Sequence, residues 1–236
     1  MPTLSDPRPS ASAAFTTVTY GYLLRFVHFW GALALFVGLA VAPGFAQSRP
    51  LRIVAFGDSL SAGYLLPAKA AFPAALERAL RAGGLDVEVG NAGVSGDTAS
   101  AGLDRLDWAI GDDVDGVILE LGANDMLRGL DPKVTEQALR TIVARLKQKG
   151  VRVLLVGMIA APGIGRDYEE RFNSMFPRIA KEMDVPLYPF FLAGVAGNPT
   201  LQLADGMHPN AIGVETIVKG ILPVVRDFIN LISNRS

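Results

Sequence analysis

Apolar and polar positions alternate between two periods along the second part of the chain. Leu51-Arg52-Ile53-Val54-Ala55-Phe56 is a short, mostly apolar run stopped by Gly57. Asp86-Val87-Glu88-Val89 alternates and breaks at Gly90-Asn91. Gly116-Val117-Ile118-Leu119-Glu120-Leu121 breaks at Gly122, and Val151-Arg152-Val153-Leu154-Leu155-Val156 breaks at Gly157. Runs of this length between strong breakers predict buried strands. A fifth run, 185–191, contains Pro186 and Pro189, which suit an edge strand.

Helical spacing fills the gaps. Phe72, Leu76, Ala79 and Leu80 share one face of a helix predicted over 70–82. Val134, Ala138, Leu139, Ile142 and Leu146 do the same over 133–149. Similar patterns cover 168–183 and 212–232, with Pro209 at the start of the last. Strands alternating with helices predict parallel βαβ units, hence a three-layer α/β sheet with helices on both faces. In such sheets ligands bind beyond the carboxyl ends of the strands. No repeat, linker or low-complexity tract interrupts 51–232, so residues 47–236 read as one domain.

The first 50 residues differ. A Ser/Thr/Ala/Pro-rich stretch leads to Arg25, the apolar segment Phe26–Val41, and Ala42-Pro43-Gly44-Phe45-Ala46. A basic residue, a short apolar core and a small-x-small end predict a signal peptide cleaved after Ala46. The leading segment is longer than usual, and the rival reading is an uncleaved anchor. Either way the domain is expected to be exported, to the periplasm or beyond, with membrane contact only through this segment.

Composition narrows the chemistry. The 236 residues carry a net charge of −1, which offers no basic surface for nucleic acid. With no cysteine, disulfides, thiolate metal sites and a cysteine nucleophile are excluded. There are two histidines, and His28 lies in the export segment. His208 is therefore the one imidazole available to the domain as a neutral-pH proton shuttle, given an unperturbed imidazole pKa of about 6.5.

The unusual polar residues map onto strand-to-helix loops or the approach to a helix. Ser59 follows the first strand, Gly93–Gly96 the second and Asn124 the third, while Asp205 and His208 precede the last helix. They can converge on one rim. A serine hydrolase needs a nucleophile, a base, a carboxylate fixing the base's tautomer, and oxyanion donors. Asp205 and His208, three residues apart, fit one tight loop, which leaves Nε2 free for Ser59. The Ser59 and Gly96 N–H groups and the Asn124 amide are candidate donors. Each residue alone has a plainer reading: Ser59 as a helix cap, Gly96 as a turn glycine with Gly93 the donor instead, Asn124 as a left-handed turn residue, His208 as a surface histidine. Asp58 and Asp125 read as structural acceptors, and Asp97 and Thr98 as a cap for the helix after the second strand. Gly57-Asp58-Ser59-Leu60-Ser61 lacks the second glycine of G-x-S-x-G. Gly90-x-x-Gly93-x-x-Gly96 has the wrong spacing for a dinucleotide fingerprint. Scattered carboxylates with one histidine lack zinc-ligand spacing, so no metal is expected.

Four blocks in order resemble the SGNH (GDSL) hydrolases, in particular the bacterial acyl-thioesterase I, lysophospholipase L1 and arylesterase group. They are Phe56–Tyr64, Asn91–Thr98, Glu120–Asp125 and Asp205–Pro209. The resemblance covers roughly residues 51–230. It implies a flavodoxin-like sheet of five parallel strands, Ser59 as nucleophile with Asp205 and His208, and an oxyanion hole of Ser59, Gly96 and Asn124. It also implies hydrolysis of carboxylic esters, acyl thioesters and lysophospholipids by an acyl-enzyme, without a cofactor. The expected partner is a small substrate with an apolar acyl group, and the chain is expected to be a monomer. Candidate walls for that group are Leu121, Met126, Leu127, Met158, Ile159, Pro162, Ile164 and Met207. The alternatives are a carbohydrate O-acetylesterase of the same fold and a non-catalytic exported binding protein.

Overall fold

The structure is a computed structural model that describes residues 49–234. The expected signal segment and its cleavage site lie outside the described residues. Five strands form one parallel sheet in the order β2-β1-β3-β4-β5: β1 Leu51–Gly57, β2 Val87–Gly93, β3 Gly116–Glu120, β4 Arg152–Val156 and β5 Leu187–Tyr188. The chain passes from β1 to the β2 edge and then returns to β3 on the other side of β1. That reversal opens a crevice beyond the carboxyl ends of β1 and β3, where doubly wound sheets take their ligands.

Two strands depart from expectation. β2 continues past Gly90-Asn91 to Gly93, because β1 offers paired partners all the way to Gly57. A break signal read locally does not stop a strand whose neighbour still supplies hydrogen bonds. β5 shrinks to two residues, because Pro186 and Pro189 flank it and have no N–H to donate.

The helices are α1 Ser59–Ala62, α2 Phe72–Ala82, α3 Ala99–Ala109, α4 Ala123–Leu127, α5 Pro132–Gln148, α6 Arg166–Met183 and α7 Ala211–Ser233. Side-chain caps start several of them, including α3, α5 and α7. Thr98 Oγ1 accepts from Ala101 N–H, and Asp131 accepts from Lys133 N–H. Asn210 accepts from Ile212 and Gly213 N–H, so Asn210 begins α7 and Pro209 stands before the cap, bridged to Gln202. Asp97, expected to share the α3 cap, instead turns inward to Arg105.

α2 packs with α7, while α3, α5 and α6 pack in succession, giving helical layers against the sheet. β3 is buried at every position, as a strand covered on both faces must be. Phe56, Phe72, Phe172, Phe176, Phe191 and Phe228 are fully buried between these layers. Burying each such ring stabilises by roughly 1.5–3 kcal/mol, which anchors the loops above the sheet. Among the described residues no helix is long and apolar enough to cross a membrane.

Gly93 marks where β2 passes under α1. A Cβ there meets the Ala62 nitrogen well inside contact distance and the Asp58 carbonyl oxygen at 2.8 Å. Backbone cannot yield as a flexible side chain can. Gly93→Ala is therefore expected to destabilise the protein by about 1–3 kcal/mol, read as a lower urea midpoint with an unchanged m-value; an unchanged midpoint would show that the turn has room.

Candidate active site

β1 ends at Gly57, and the chain turns at once into the single-turn helix α1. Asp58 makes that turn. Its Oδ1 accepts from Leu60 N–H at 3.0 Å, its carbonyl accepts from Ala62 N–H at 2.9 Å, and Gly63 closes α1 in the left-handed region at φ 81°. Ser59 is thereby held at the helix start with its Oγ facing the crevice.

The second contribution comes from the loop before α7. Leu203 N–H donates to His208 O at 2.8 Å and Gly206 N–H to Leu203 O at 3.0 Å, closing a tight hairpin. Within it Asp205 Oδ1 accepts from Met207 N–H at 2.9 Å and His208 N–H at 3.0 Å. Asp205 Oδ2 lies 2.7 Å from His208 Nδ1, and His208 Nε2 lies 2.9 Å from Ser59 Oγ. The two backbone N–H groups, with the imidazole beside them, hold the Asp205 carboxyl down at about 2. A carboxylate that stays ionised fixes the tautomer: Nδ1–H donates to Asp205, and the Nε2 lone pair faces the Ser59 hydroxyl. The Tyr64 ring covers the imidazole, with centroids 4.4 Å apart.

Three donors face the same space. Among the described residues the Ser59 and Gly96 N–H groups donate to no protein acceptor. Gly96 has φ 88°, and its carbonyl is turned away to accept from Arg128 Nη2 at 2.7 Å. Gly93 N–H is engaged by Asn91 Oδ1 at 3.0 Å, which removes it as the alternative donor. Asn124 Nδ2 donates one hydrogen to Asp58 Oδ2 at 3.0 Å, which orients the amide and leaves the second hydrogen available.

Asp58 and Asp125 are structural acceptors, as their positions in the sequence indicate. Asp125 accepts from Ala99 N–H at 2.8 Å and Thr135 Oγ1 at 2.9 Å. Burial pushes Asp58 up to about 6, against the pull of the Leu60 and Asn124 donors. Glu120 opens the third sequence block but is assigned no role from sequence, although one acid in an apolar strand is a visible signal. It is buried beneath the Ser59 turn, accepts from Ser61 Oγ at 2.8 Å, and burial pushes it well above the usual carboxyl range. Among the described residues no group of three or more His, Asp or Glu side chains is placed to hold a metal ion.

A cleft of about 690 Å³ opens beside Ser59 and His208. Met126, Leu127, Met158, Ile159, Pro162 and Met207 line it, as expected. Leu121 does not. It is 1 % exposed and points back into the core towards α3, beside Gly102 and Phe56. Ile164 also lies outside the lining. Tyr64, Leu60, Phe190 and Leu192 line it in addition; Phe190 and Leu192 come from the segment after β5, which local patterning could not direct to this rim.

The raised Asp58 carboxyl has a thermodynamic consequence. Between about pH 4 and 6 the folded state holds a proton at Asp58 that the unfolded chain has released, so this group's contribution to stability falls as pH rises through that window. Asp58→Asn abolishes that dependence. Urea unfolding of both proteins across the window should show the difference between them changing by on the order of 1–3 kcal/mol; a difference independent of pH would place the Asp58 carboxyl near its ordinary value.

The chain is similar to several known proteins. Residues 55–215 match the GDSL-like lipase/acylhydrolase family. The chain is 37% identical over 179 residues to an arylesterase of Vibrio mimicus, covering 75% of this chain and 88% of that one. It is 42% identical over 159 residues to the thioesterase 1/protease 1/lysophospholipase L1 of Escherichia coli K12, covering 67% of this chain and 75% of that one. The crystal structure of AlinE4, an SGNH-hydrolase family esterase, superposes with a TM-score of 0.65 at 42% identity, covering 77% of this chain and 98% of that one. The five-stranded parallel sheet, the four sequence blocks on its rim and the match over 55–215 agree: the chain belongs to the GDSL-like lipase/acylhydrolase family.

Proposed function

We propose that this protein hydrolyses carboxylic esters and acyl thioesters through an acyl-enzyme on Ser59. The observation that carries the reading is the continuous line from Asp205 Oδ2 to His208 Nδ1 at 2.7 Å and from His208 Nε2 to Ser59 Oγ at 2.9 Å. His208 takes the Ser59 proton as Oγ attacks the acyl carbonyl. The developing oxyanion is met by the Ser59 and Gly96 N–H groups and the free hydrogen of the Asn124 amide. The alcohol or thiol leaves with the proton from His208, and a water activated by the same imidazole then releases the acid. Asp205, held ionised, stabilises the imidazolium formed in each half-reaction.

The cleft supports an apolar acyl group, since methionine, isoleucine, leucine and proline side chains wall it. The arylesterase and thioesterase names of the relatives describe different leaving groups on the same acyl chemistry. The wall that favours an alkyl chain does not favour the carbohydrate-ester alternative, and a binding protein has no need of a serine, an imidazole and a carboxylate in line.

Ser59→Ala should lower turnover of a p-nitrophenyl ester by several orders of magnitude, and Asn124→Ala by about 10²–10³ with KM little changed. Near-normal kcat in Ser59→Ala contradicts the mechanism.

The proposal includes export, supported by the basic residue, apolar core and Ala46 end of the first segment. Mass spectrometry of the exported protein should find an N-terminus at Gln47; an intact N-terminal segment would point to the anchor instead.

A further inference from the structure

Arg105, on α3, is the one Lys or Arg that is buried among the described residues. A dry guanidinium is costly unless its donors are matched. Here Nε donates to Asp97 Oδ2 at 2.6 Å, Nη2 donates to Gly57 O at 2.9 Å, and the guanidinium carbon lies 4.2 Å from the centre of the Phe56 ring. These partners are not scattered through the core. Phe56 and Gly57 lead directly into Asp58-Ser59, and Asp97 follows Gly96. One rigid, planar cation therefore joins the turn that carries the Ser59 N–H to the loop that carries the Gly96 N–H.

The connection matters because the other contacts, Asn91 Nδ2 donating to Ala62 O at 3.3 Å and Gly93 packed under Asp58 and Ala62, hold the end of β2 and not the Gly96 turn itself. The β1–β2 ladder ends at the Gly57–Gly93 pair, and Val94 N–H to Gly57 O at 3.1 Å is the last backbone bond across that gap. Beyond it the Ser95-Gly96 turn has no backbone bond to the Ser59 turn. The Arg128 bond to the Gly96 carbonyl is exposed, so water competes for it. The Asp97–Arg105 pair is shielded, with side-chain exposures of 14% and 8%. Charge-assisted bonds in such a setting are short and directional.

We propose that Arg105 is a positioning residue: by holding Gly57 O and the Asp97 carboxylate together it sets the separation of the Ser59 and Gly96 N–H groups, so that both meet one oxyanion. This rests on the reading of those two groups as oxyanion donors. A lysine at 105 keeps the positive charge but, as a point donor on a flexible stem, does not reproduce the two-pronged geometry. Lysine thus separates positioning from simple neutralisation of Asp97.

The test uses the full-length protein with Arg105→Lys and Asp97→Ala. Five quantities are measured: kcat and KM for a p-nitrophenyl ester, the affinity of an alkyl boronic acid, the affinity of the straight-chain alcohol of equal length, and the melting temperature. The boronic acid accepts the Ser59 Oγ lone pair as His208 takes the proton, and its oxygen fills the oxyanion site; the alcohol occupies the cleft alone. Arg105→Lys should lower kcat by about 10- to 100-fold, weaken the boronic acid by a similar factor, and leave KM and alcohol affinity within about twofold. Asp97→Ala should give the same pattern, and it decides the matter if the lysine variant does not fold. The inference is overturned if a folded variant keeps kcat and boronic acid affinity within about twofold of wild type, or loses kcat without losing boronic acid affinity. If wild type does not bind the boronic acid, or Ser59→Ala binds it equally well, the oxyanion reading itself fails and this inference falls with it.

Discussion

The parallel pairing of Gly57 with Glu120, at the carboxyl ends of β1 and β3, sets the other distances in the site. The chain leaves these two neighbouring strands for different loops, so Ser59 and Asn124 emerge side by side although they are far apart in sequence. Asp58 spans the seam, accepting from Leu60 N–H on one side and the Asn124 amide on the other. Nothing else needs to be long. α1 is one turn, and the loop before α7 brings a preformed Asp205–His208 pair to meet it. The space at the seam is so tight that a Cβ at Gly57 would collide with Glu120 and Ser61.

The same functional group does opposite work on the two sides of this seam. Asp205 sits at a wetter rim, takes two backbone N–H donors and is held at about 2, so it remains an anion that orients His208. Asp58 and Glu120 are dry, and loss of water raises both. Environment, not residue type, separates an electrostatic partner from two buried props. In the proposed mechanism the anion stands beside the imidazole that carries positive charge in each half-reaction. Glu120, whose neutral form burial favours, lies under the serine turn, where a second full charge would repel Asp58.

Much of this was legible in the residues. The Asp205-x-x-His208 spacing is local, and a local loop realises it as a hydrogen-bonded pair. Ser59, Gly96 and Asn124 stood out because each polar or glycine position follows an apolar strand, and parallel strands send their following loops to one rim. What local pattern could not carry was side-chain direction and long-range pairing. Leu121 adjoins the Asn124 loop in sequence but faces α3, and a strand buried on both faces has no alternation to reveal which way a leucine points. β2 outran its glycine because β1 continued beside it, whereas β5 stopped where its prolines could not donate. Arg105 lies in no motif, and Tyr64 closes the first block without a role assigned to it; their significance lies in contacts with Asp97, Gly57 and His208 that exist only once the sheet has formed.

In the proposed mechanism Ser59 Oγ takes the acyl group, driven by the His208 imidazole. Covalent trapping tests it most directly. After reaction with a fluorophosphonate, peptide mapping should locate one adduct per chain, on Ser59, formed at a rate that falls when His208 is replaced. An adduct on Ser61 or Ser95, or no adduct in a preparation that still hydrolyses esters, would contradict the account.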